Sequence, residues 1–384
     1  MTSLRLLKCP RQSFFLLGPR ATGKSTWLKH QVKPDYTVDL LKAKEYQRFS
    51  TNLSLLSEIL EANPKYSTIV IDEIQKLPVL LDEVHSLIFE YDNKLQFILT
   101  GSSARKLKKK NVNLLAGRAL VRNFHPFSMM EIEDKFKINS SLMYGMLPHV
   151  WNLNSDEDKK DYLISYVDTY LKEEIQQEAA VRSLPSYLSF LEHFALRNAQ
   201  VINLQNISNE IGVARTTITG YLDILEQTLI GFKLAPLHLK AKVKEVSTPK
   251  FYFFDTGVTR ALAKTLDHEM SHEKGFLLET YILHEIKTFS DYFQKRWAVH
   301  FWGTPSENEV DFIISSGTKR IGVEVKSSNR WDKDFNSGLN VLLETGKISR
   351  AYGVYLGKDI IKKDKVMIYP VVEFVKLMFN NKLI

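Results

Sequence analysis

The chain has 384 residues, more than one ordinary core accommodates, so two to four domains are expected. Its 44% hydrophobic and 25% charged content is ordinary for a soluble globular protein, and a single cysteine, Cys9, excludes an internal disulfide and points to a reducing compartment. Lys and Arg number 52 against 44 Asp and Glu, a formal charge of +8 that favours polyanionic partners without requiring them.

The N-terminal stretch MTSLRLLKCPRQSFFLLGPR lacks a long apolar core followed by a small-residue cleavage site, so it does not read as a signal peptide. No apolar run approaches membrane-spanning length; a cytoplasmic protein with no membrane partner is expected. Through the first third, apolar runs alternate with amphipathic stretches, as in an α/β fold. SFFLLG (Ser13–Gly18), YTVDLL (Tyr36–Leu41), TIVIDE (Thr68–Glu73) and LQFILTGSS (Leu95–Ser103) predict strands with helices between them. From about Ser141 to Arg197 apolar and aromatic residues return every three or four positions, which predicts mainly helix. Val201 to Lys244 reads as helix, turn, helix and strand, and from Lys250 the runs FYFFD, VHFWG, VDFII, IGVEVK, AYGVYL and KVMIYPV predict strands again. The expected segments are 1–135, 136–197, 198–246 and 247–384.

GPRATGKST follows a predicted strand and precedes a helical stretch, the setting of a phosphate-binding P-loop. Its residues Gly18, Pro19, Arg20, Ala21, Thr22, Gly23, Lys24, Ser25 and Thr26 would wrap the phosphates of ATP with backbone N–H groups. Lys24 would reach the β- and γ-phosphates, and Ser25 would bind Mg²⁺. The strand ending in Asp72 and Glu73 supplies the expected partners, Asp72 for the Mg²⁺ shell and Glu73 as general base. TGSS ends the next strand, where Ser102, with Thr100 as the alternative, would sense the γ-phosphate. Arg118 in LLAGRAL is a candidate for stabilising transition-state charge, supplied from a neighbouring subunit if the chain forms a homo-oligomer. These motifs resemble the AAA+ ATPase superfamily.

Arg105, Lys106, Lys108, Lys109, Lys110, Arg118 and Arg122 form a basic run that would either track nucleic-acid phosphates or make a solvated loop; it lacks interleaved aromatic residues for base stacking. NLQNISNEIGVARTTITGYLDILEQTLIGFKLAPL has the rhythm of a winged helix: Leu204, Ile207 and Ile211 face inward, Gly212 turns, and Ile218, Leu222 and Leu225 face inward again. Arg215, Thr216, Thr217 and Thr219 would then lie where a DNA-reading helix meets base edges, with Lys240, Lys242 and Lys244 in a wing, whereas Asp223 and Glu226 weaken the electrostatic case. Such modules also serve packing and dimerisation.

In EVDFIISSGTKRIGVEVKSS, strand alternation puts Glu324 and Lys326 on one face, and the SSGT turn brings Asp311 alongside. Gathered carboxylates are costly to bury without a cation, which makes Asp311, Glu324 and the Val325 carbonyl candidates for Mg²⁺ and Lys326 a candidate for orienting a hydrolytic water. Asp, a turn and then Glu-x-Lys resembles the PD-(D/E)xK nuclease core. In that resemblance GFLLETYILHEI is the preceding helix and Glu279 the additional acidic ligand, with Glu309 and Glu285 as weaker candidates.

GPRATGKST, VIDEIQKLP, LTGSS, LAGRA, HPFS, YGMLP, FFDTGV and the Asp…Glu-x-Lys hairpin occur in an order that resembles the prokaryotic AAA-family ATPases carrying a C-terminal DUF4143 domain. That resemblance implies a multidomain α/β protein: a P-loop NTPase domain, a helical lid or connector, a winged helix-turn-helix and a C-terminal restriction-endonuclease-like domain. It implies ATP and Mg²⁺ as cofactors and nucleic acid, DNA before RNA, as partner, with ATP controlling DNA binding or cleavage. The alternative is a nucleotide-dependent switch whose inactive nuclease-like fold binds DNA or a protein.

Overall fold

All four residues of Phe14–Leu17 (β1) are buried, so this strand has no solvent face, as expected in a parallel sheet covered on both sides. The computed structural model of the chain describes residues 4–92, 94–102, 119–171, 183–239, 245–304 and 308–384. They form two compact units, one running to Pro126 with Gln227–Leu229, the other comprising Phe127–Glu226 and Ile230–Ile384.

The first unit is built on β1, Tyr36–Asp39 (β2), Thr68–Asp72 (β3), Gln96–Gly101 (β4) and Leu120–Asn123 (β5), in the order β2-β3-β4-β1-β5. Every neighbouring pair is parallel. The first four strands fall where the apolar runs predict them. β5 was not legible: LVRN is short and half exposed at a sheet edge, so it carries no buried run to read. Leu17 lies level with Gly101, and Ile71 with Leu99, so the loops after β1, β3 and β4 gather at one edge of the sheet. Ligands bind at that edge in open α/β sheets.

The second unit begins with helices. Leu204–Ile211 ends at Gly212 with φ 72°, and Arg215–Gln227 follows after a short turn. Ile207, Ile218, Leu222 and Leu225 are buried in a core that also takes Tyr187, Phe190, Phe251 and Phe253. Gly231–Leu234 (β6) and Lys250–Phe253 (β7) pair as an antiparallel ribbon. Ala298–Gly303 (β8), Glu309–Ser316 (β9), Lys319–Lys326 (β10), Arg350–Tyr355 (β11), Ile361–Lys363 (β12) and Val366–Pro370 (β13) form a mixed sheet of order β12-β13-β11-β10-β9-β8. The helix Lys274–Tyr292 buries Leu278, Tyr281 and Ile282 in the core formed with Phe312 of β9 and Val323 of β10.

Two buried carboxylates lock this unit, each joining segments distant in sequence. The Asp255 carboxylate of FFDTGV caps the helix Thr256–Leu262 by accepting from the Val258 N–H at 3.0 Å, and it accepts from the Met146 N–H of YGMLP at 2.6 Å. Gly145 and Gly257 allow the approach: a Cβ on Gly257 would stand 2.2 Å from the Tyr144 carbonyl oxygen, and one on Gly145 would strike Asp255. In the second lock, Glu285 accepts from the Ser128 hydroxyl at 2.6 Å and the Met129 N–H at 2.7 Å, tying HPFS to the long helix.

Burial pushes the Glu285 carboxyl up to about 7 and the Asp255 carboxyl up to about 6, from ordinary values of 4.5 and 3.8. A carboxyl raised in the folded state binds more protons there than in the unfolded chain, so its contribution is full below the ordinary value and is lost as pH rises through the raised one. Glu285→Gln, which cannot ionise, is therefore expected to gain stability relative to the parent chain between about pH 5 and pH 8, by up to roughly 3 kcal/mol. Thermal melts of both proteins at the two pH values check this; a constant difference contradicts it.

Candidate functional site

Beyond β1 the chain makes the GPRATGKST turn. Gly18 N–H donates to the Gly101 carbonyl at 3.2 Å, and a Cβ at Gly18 would collide with the Phe124 carbonyl oxygen at 2.2 Å, so glycine is required there. Ala21 (φ 60°) and Gly23 (φ 95°) are left-handed and fold the loop back onto the helical turn beginning at Lys24. The Thr22 hydroxyl donates to the Pro19 carbonyl at 2.9 Å. Arg5, buried and 4.3 Å over the Phe124 ring, donates to the Thr22 carbonyl at 2.7 Å and the His125 carbonyl at 2.6 Å. This clamp on the loop lies outside the loop motif and has no motif of its own to announce it.

Lys24 is buried, its ammonium donating to the Gly18 and Pro19 carbonyls at 2.6 and 2.9 Å. The Ser25 hydroxyl donates to Asp72 Oδ2 at 3.1 Å, while Thr100 donates to Asp72 Oδ1. Glu73, left-handed at φ 59°, turns away from β3, and its N–H donates to the Thr100 hydroxyl at 3.0 Å. Its carboxylate accepts from Ser102 at 3.3 Å and from Gln75, whose amide also donates to Ser102 at 3.2 Å. The two expected sensors are thus divided: Thr100 serves Asp72 and Ser102 serves Glu73. Gln75, absent from the sequence reading, joins the second pair, and its buried Oε1 has no hydrogen-bond partner among the described residues. Arg118 and the basic residues from Arg105 to Lys110 lie outside the described residues; Arg122 is on β5.

In the second unit, Asp311 on β9 and Glu324 on β10 are each only 4% exposed, which excludes a surface ion pair. Asp311 Oδ2 accepts from the Val325 N–H at 2.8 Å, and Lys326 donates to Glu324. Glu279 on the long helix accepts from the Tyr252 hydroxyl at 3.1 Å. Lys250 of β7, buried, places its ammonium 3.5 Å from Glu279 Oε2 and 3.9 Å from Asp311 Oδ1, and pairs with Glu309. The expected group therefore converges, with Glu309 included and Glu285 engaged elsewhere on Ser128 and Met129. Neither Lys250 nor Tyr252 was legible in the sequence.

Burial, and then the Asp311 charge, hold Glu279 up at about 8, and the same causes raise Glu324. Burial also raises Asp311, with Lys250 and Lys326 opposing. Burial works against the charges of both lysines, but the carboxylates, led by Glu279 for Lys250 and Glu324 for Lys326, more than offset it and keep them protonated. Among the described residues no three His, Cys, Asp or Glu side chains are disposed to hold a metal ion. The oxygen donors suit a hard cation, yet Glu279 and Asp311 face the Lys250 ammonium and Glu324 faces that of Lys326. So arranged, the cluster does not fit the expected Mg²⁺ on Glu279, Asp311 and Glu324.

Comparison with known proteins finds matches along most of the chain. Residues 10–133 match an AAA domain. Residues 135–269 match a domain of unknown function, DUF8612, and residues 274–374 match another, DUF4143. An uncharacterized protein of Mycobacterium tuberculosis is 23% identical over 322 residues, covering 82% of this chain and 70% of that protein. An uncharacterized protein of Methanocaldococcus jannaschii is 22% identical over 427 residues, covering 94% and 84%. Among solved structures, the replication initiator DnaA bound to AMPPCP and single-stranded DNA covers 57% of this chain and 83% of its own at 14% identity and TM-score 0.30. A Vibrio cholerae protein covers 96% of both chains at 10% identity and TM-score 0.21. Scores this low carry no weight here. The AAA domain thus contains the loop, Asp72, Glu73, Thr100 and Ser102, and the DUF4143 match contains Glu279, Asp311, Glu324 and Lys326.

Elsewhere, Arg215, Thr216 and Thr219 are exposed on the helix Arg215–Gln227 and Thr217 is half-buried; Asp223 and Glu226 pair with Lys233 at 3.4 and 2.8 Å. Lys240, Lys242 and Lys244 lie outside the described residues. Among the described residues no helix is long and apolar enough to cross a membrane.

Thr100 is completely buried and bonds both Asp72 and the Glu73 N–H. Thr100→Val leaves that N–H and a carboxylate oxygen short of a partner and is expected to cost about 1–3 kcal/mol. Ser102→Ala removes a longer bond from Glu73, which keeps Gln75, and is expected to cost less, about 0.5–1.5 kcal/mol. Denaturant melts of the two variants test the order; an equal or reversed pair of losses contradicts it.

Proposed function

We propose that the chain binds and hydrolyses ATP at the GPRATGKST loop, and that the nucleotide state of this domain controls the binding of nucleic acid, DNA in the first instance, by the second unit. The contact carrying the proposal is Ser25 with Asp72 at 3.1 Å, beside the Lys24 ammonium and one residue from Glu73. This brings a hydroxyl, a carboxylate, an ammonium and a second carboxylate to one sheet edge, the donor set that a magnesium triphosphate needs.

In this reading the residues act as follows. Lys24 exchanges the neutral Gly18 and Pro19 carbonyls for charged phosphate oxygens, which bind an ammonium more strongly. Gly23, Lys24 and Ser25 present backbone N–H groups where the loop meets the helix. Ser25 and Asp72 would hold Mg²⁺, which supplies charge neutralisation on the phosphates. Glu73 accepts the proton of the attacking water, and Gln75 and Ser102 set the direction of its carboxylate. Arg118 is proposed to meet the charge that develops on the transferred group.

For the second unit we propose nucleic-acid contact through the exposed N-terminal part of the helix Arg215–Gln227 in a winged-helix arrangement, with β6 and β7 as the ribbon. The position of Lys250 among the carboxylates favours binding over metal-dependent cleavage in the state described. Asp311, Glu324 and Lys326 remain the groups proposed for cleavage should that state change.

Glu73→Gln is expected to keep ATP binding while turnover falls by about 10²-fold or more, the usual effect of losing a positioned general base. Lys24→Ala is expected to lose both. Phosphate release and equilibrium ATP binding measure the two quantities, and ATP turnover equal to that of the parent chain in Glu73→Gln contradicts the assignment.

A further inference from the structure

We infer that Lys250 is the resident cation of the second unit's carboxylate cluster and that its ammonium keeps divalent metal out. The side chain is nine-tenths buried and reaches three carboxylates: Glu279 at 3.5 Å, Asp311 at 3.9 Å, and Glu309 in direct contact. A magnesium or manganese ion on Glu279 and Asp311 would need oxygens at about 2.1 Å. It would therefore occupy the space between these carboxylates where the ammonium now lies, and like charges there repel.

The ammonium is held by its strand rather than by chance of rotamer. Lys250 and Tyr252 alternate on β7 and point to the same face, so the strand delivers both together. The Tyr252 hydroxyl donates to Glu279 Oε2, the same oxygen that lies nearest Lys250, and so fixes that carboxylate toward the lysine. The C-terminal end of β10 shows the same pattern: Glu324 is engaged by Lys326, and Asp311 Oδ2 by the Val325 N–H. Each carboxylate that a dication would need is thus already turned toward a donor supplied by the chain. Lys250 makes the difference between a metal-dependent cleaving site and a metal-free binding fold, and any step that activates cleavage has to draw it off the carboxylates first.

The test titrates Mn²⁺ into the full chain without nucleotide and reads free Mn²⁺ by electron paramagnetic resonance. The parent chain and Asp311→Asn are expected to bind equally. Lys250→Met is expected to gain one site per chain that the double variant Lys250→Met/Asp311→Asn lacks, and Lys250→Arg, which keeps the cation, is expected to gain none. An Asp311-dependent site in the parent chain, or a folded Lys250→Met that binds no additional ion, overturns the inference. Should Lys250→Met not fold, the comparison of the parent chain with Asp311→Asn decides alone. No arm contains ATP, so failure here leaves the nucleotide assignment standing, and failure of that assignment leaves this result intact.

Discussion

A carboxylate removed from water has to be met by donors or by a cation, and the arrangement of this chain follows from how that requirement is satisfied at a few positions. At the sheet edge of the AAA domain Asp72 is met by two hydroxyls, Ser25 from the loop after β1 and Thr100 from β4. One side chain therefore fastens the tips of three adjacent segments, and the spacing of the loop against β3 and β4 depends on it. Glu73, one residue on, is turned the other way by its left-handed backbone and satisfied by Gln75 and Ser102. Neighbouring carboxylates with separate partners can take separate roles, and the roles proposed are one toward a metal-bound phosphate and one toward water.

The second unit meets the same requirement with charge. Lys250 and Lys326 stand against Glu279, Glu309, Asp311 and Glu324; the attraction outweighs burial for the lysines, while burial still holds Glu279, Asp311 and Glu324 above the ordinary carboxyl range. At Glu285 and Asp255 the partners are backbone N–H groups and a hydroxyl, and burial holds the carboxyl above its ordinary range there too. These last two positions explain why HPFS, YGMLP and FFDTGV occur together. They are the two halves of two locks, and they bind backbone to side chain across more than a hundred residues.

Much of this could be read from sequence because local pattern carries it. The first four strands of the parallel sheet, the loop glycines, the Asp72–Glu73 pair and the hairpin of Asp311 with Glu324 each leave a short signature of apolar period or motif spacing. What could not be read depends on residues brought together only by folding. Arg5 reaches the loop from the N-terminus, Gln75 enters the Glu73 network through a turn, and Lys250 and Tyr252 arrive at the carboxylates from a separate ribbon. A lysine at a strand start reads as a surface residue until tertiary packing shows its ammonium among three acids. Edge strands β5 and β12 were missed for a simpler reason: three or four half-exposed residues give no period to detect.

Ser25 and Asp72 are proposed as the seat of a metal-bound nucleotide phosphate. Nucleotide affinity measured as a function of free Mg²⁺, in the parent chain and in Asp72→Asn, tests it most directly. Affinity for ATP is expected to rise with Mg²⁺ in the parent chain, and this dependence to be lost or strongly reduced in Asp72→Asn. The same Mg²⁺ dependence in both proteins would contradict it.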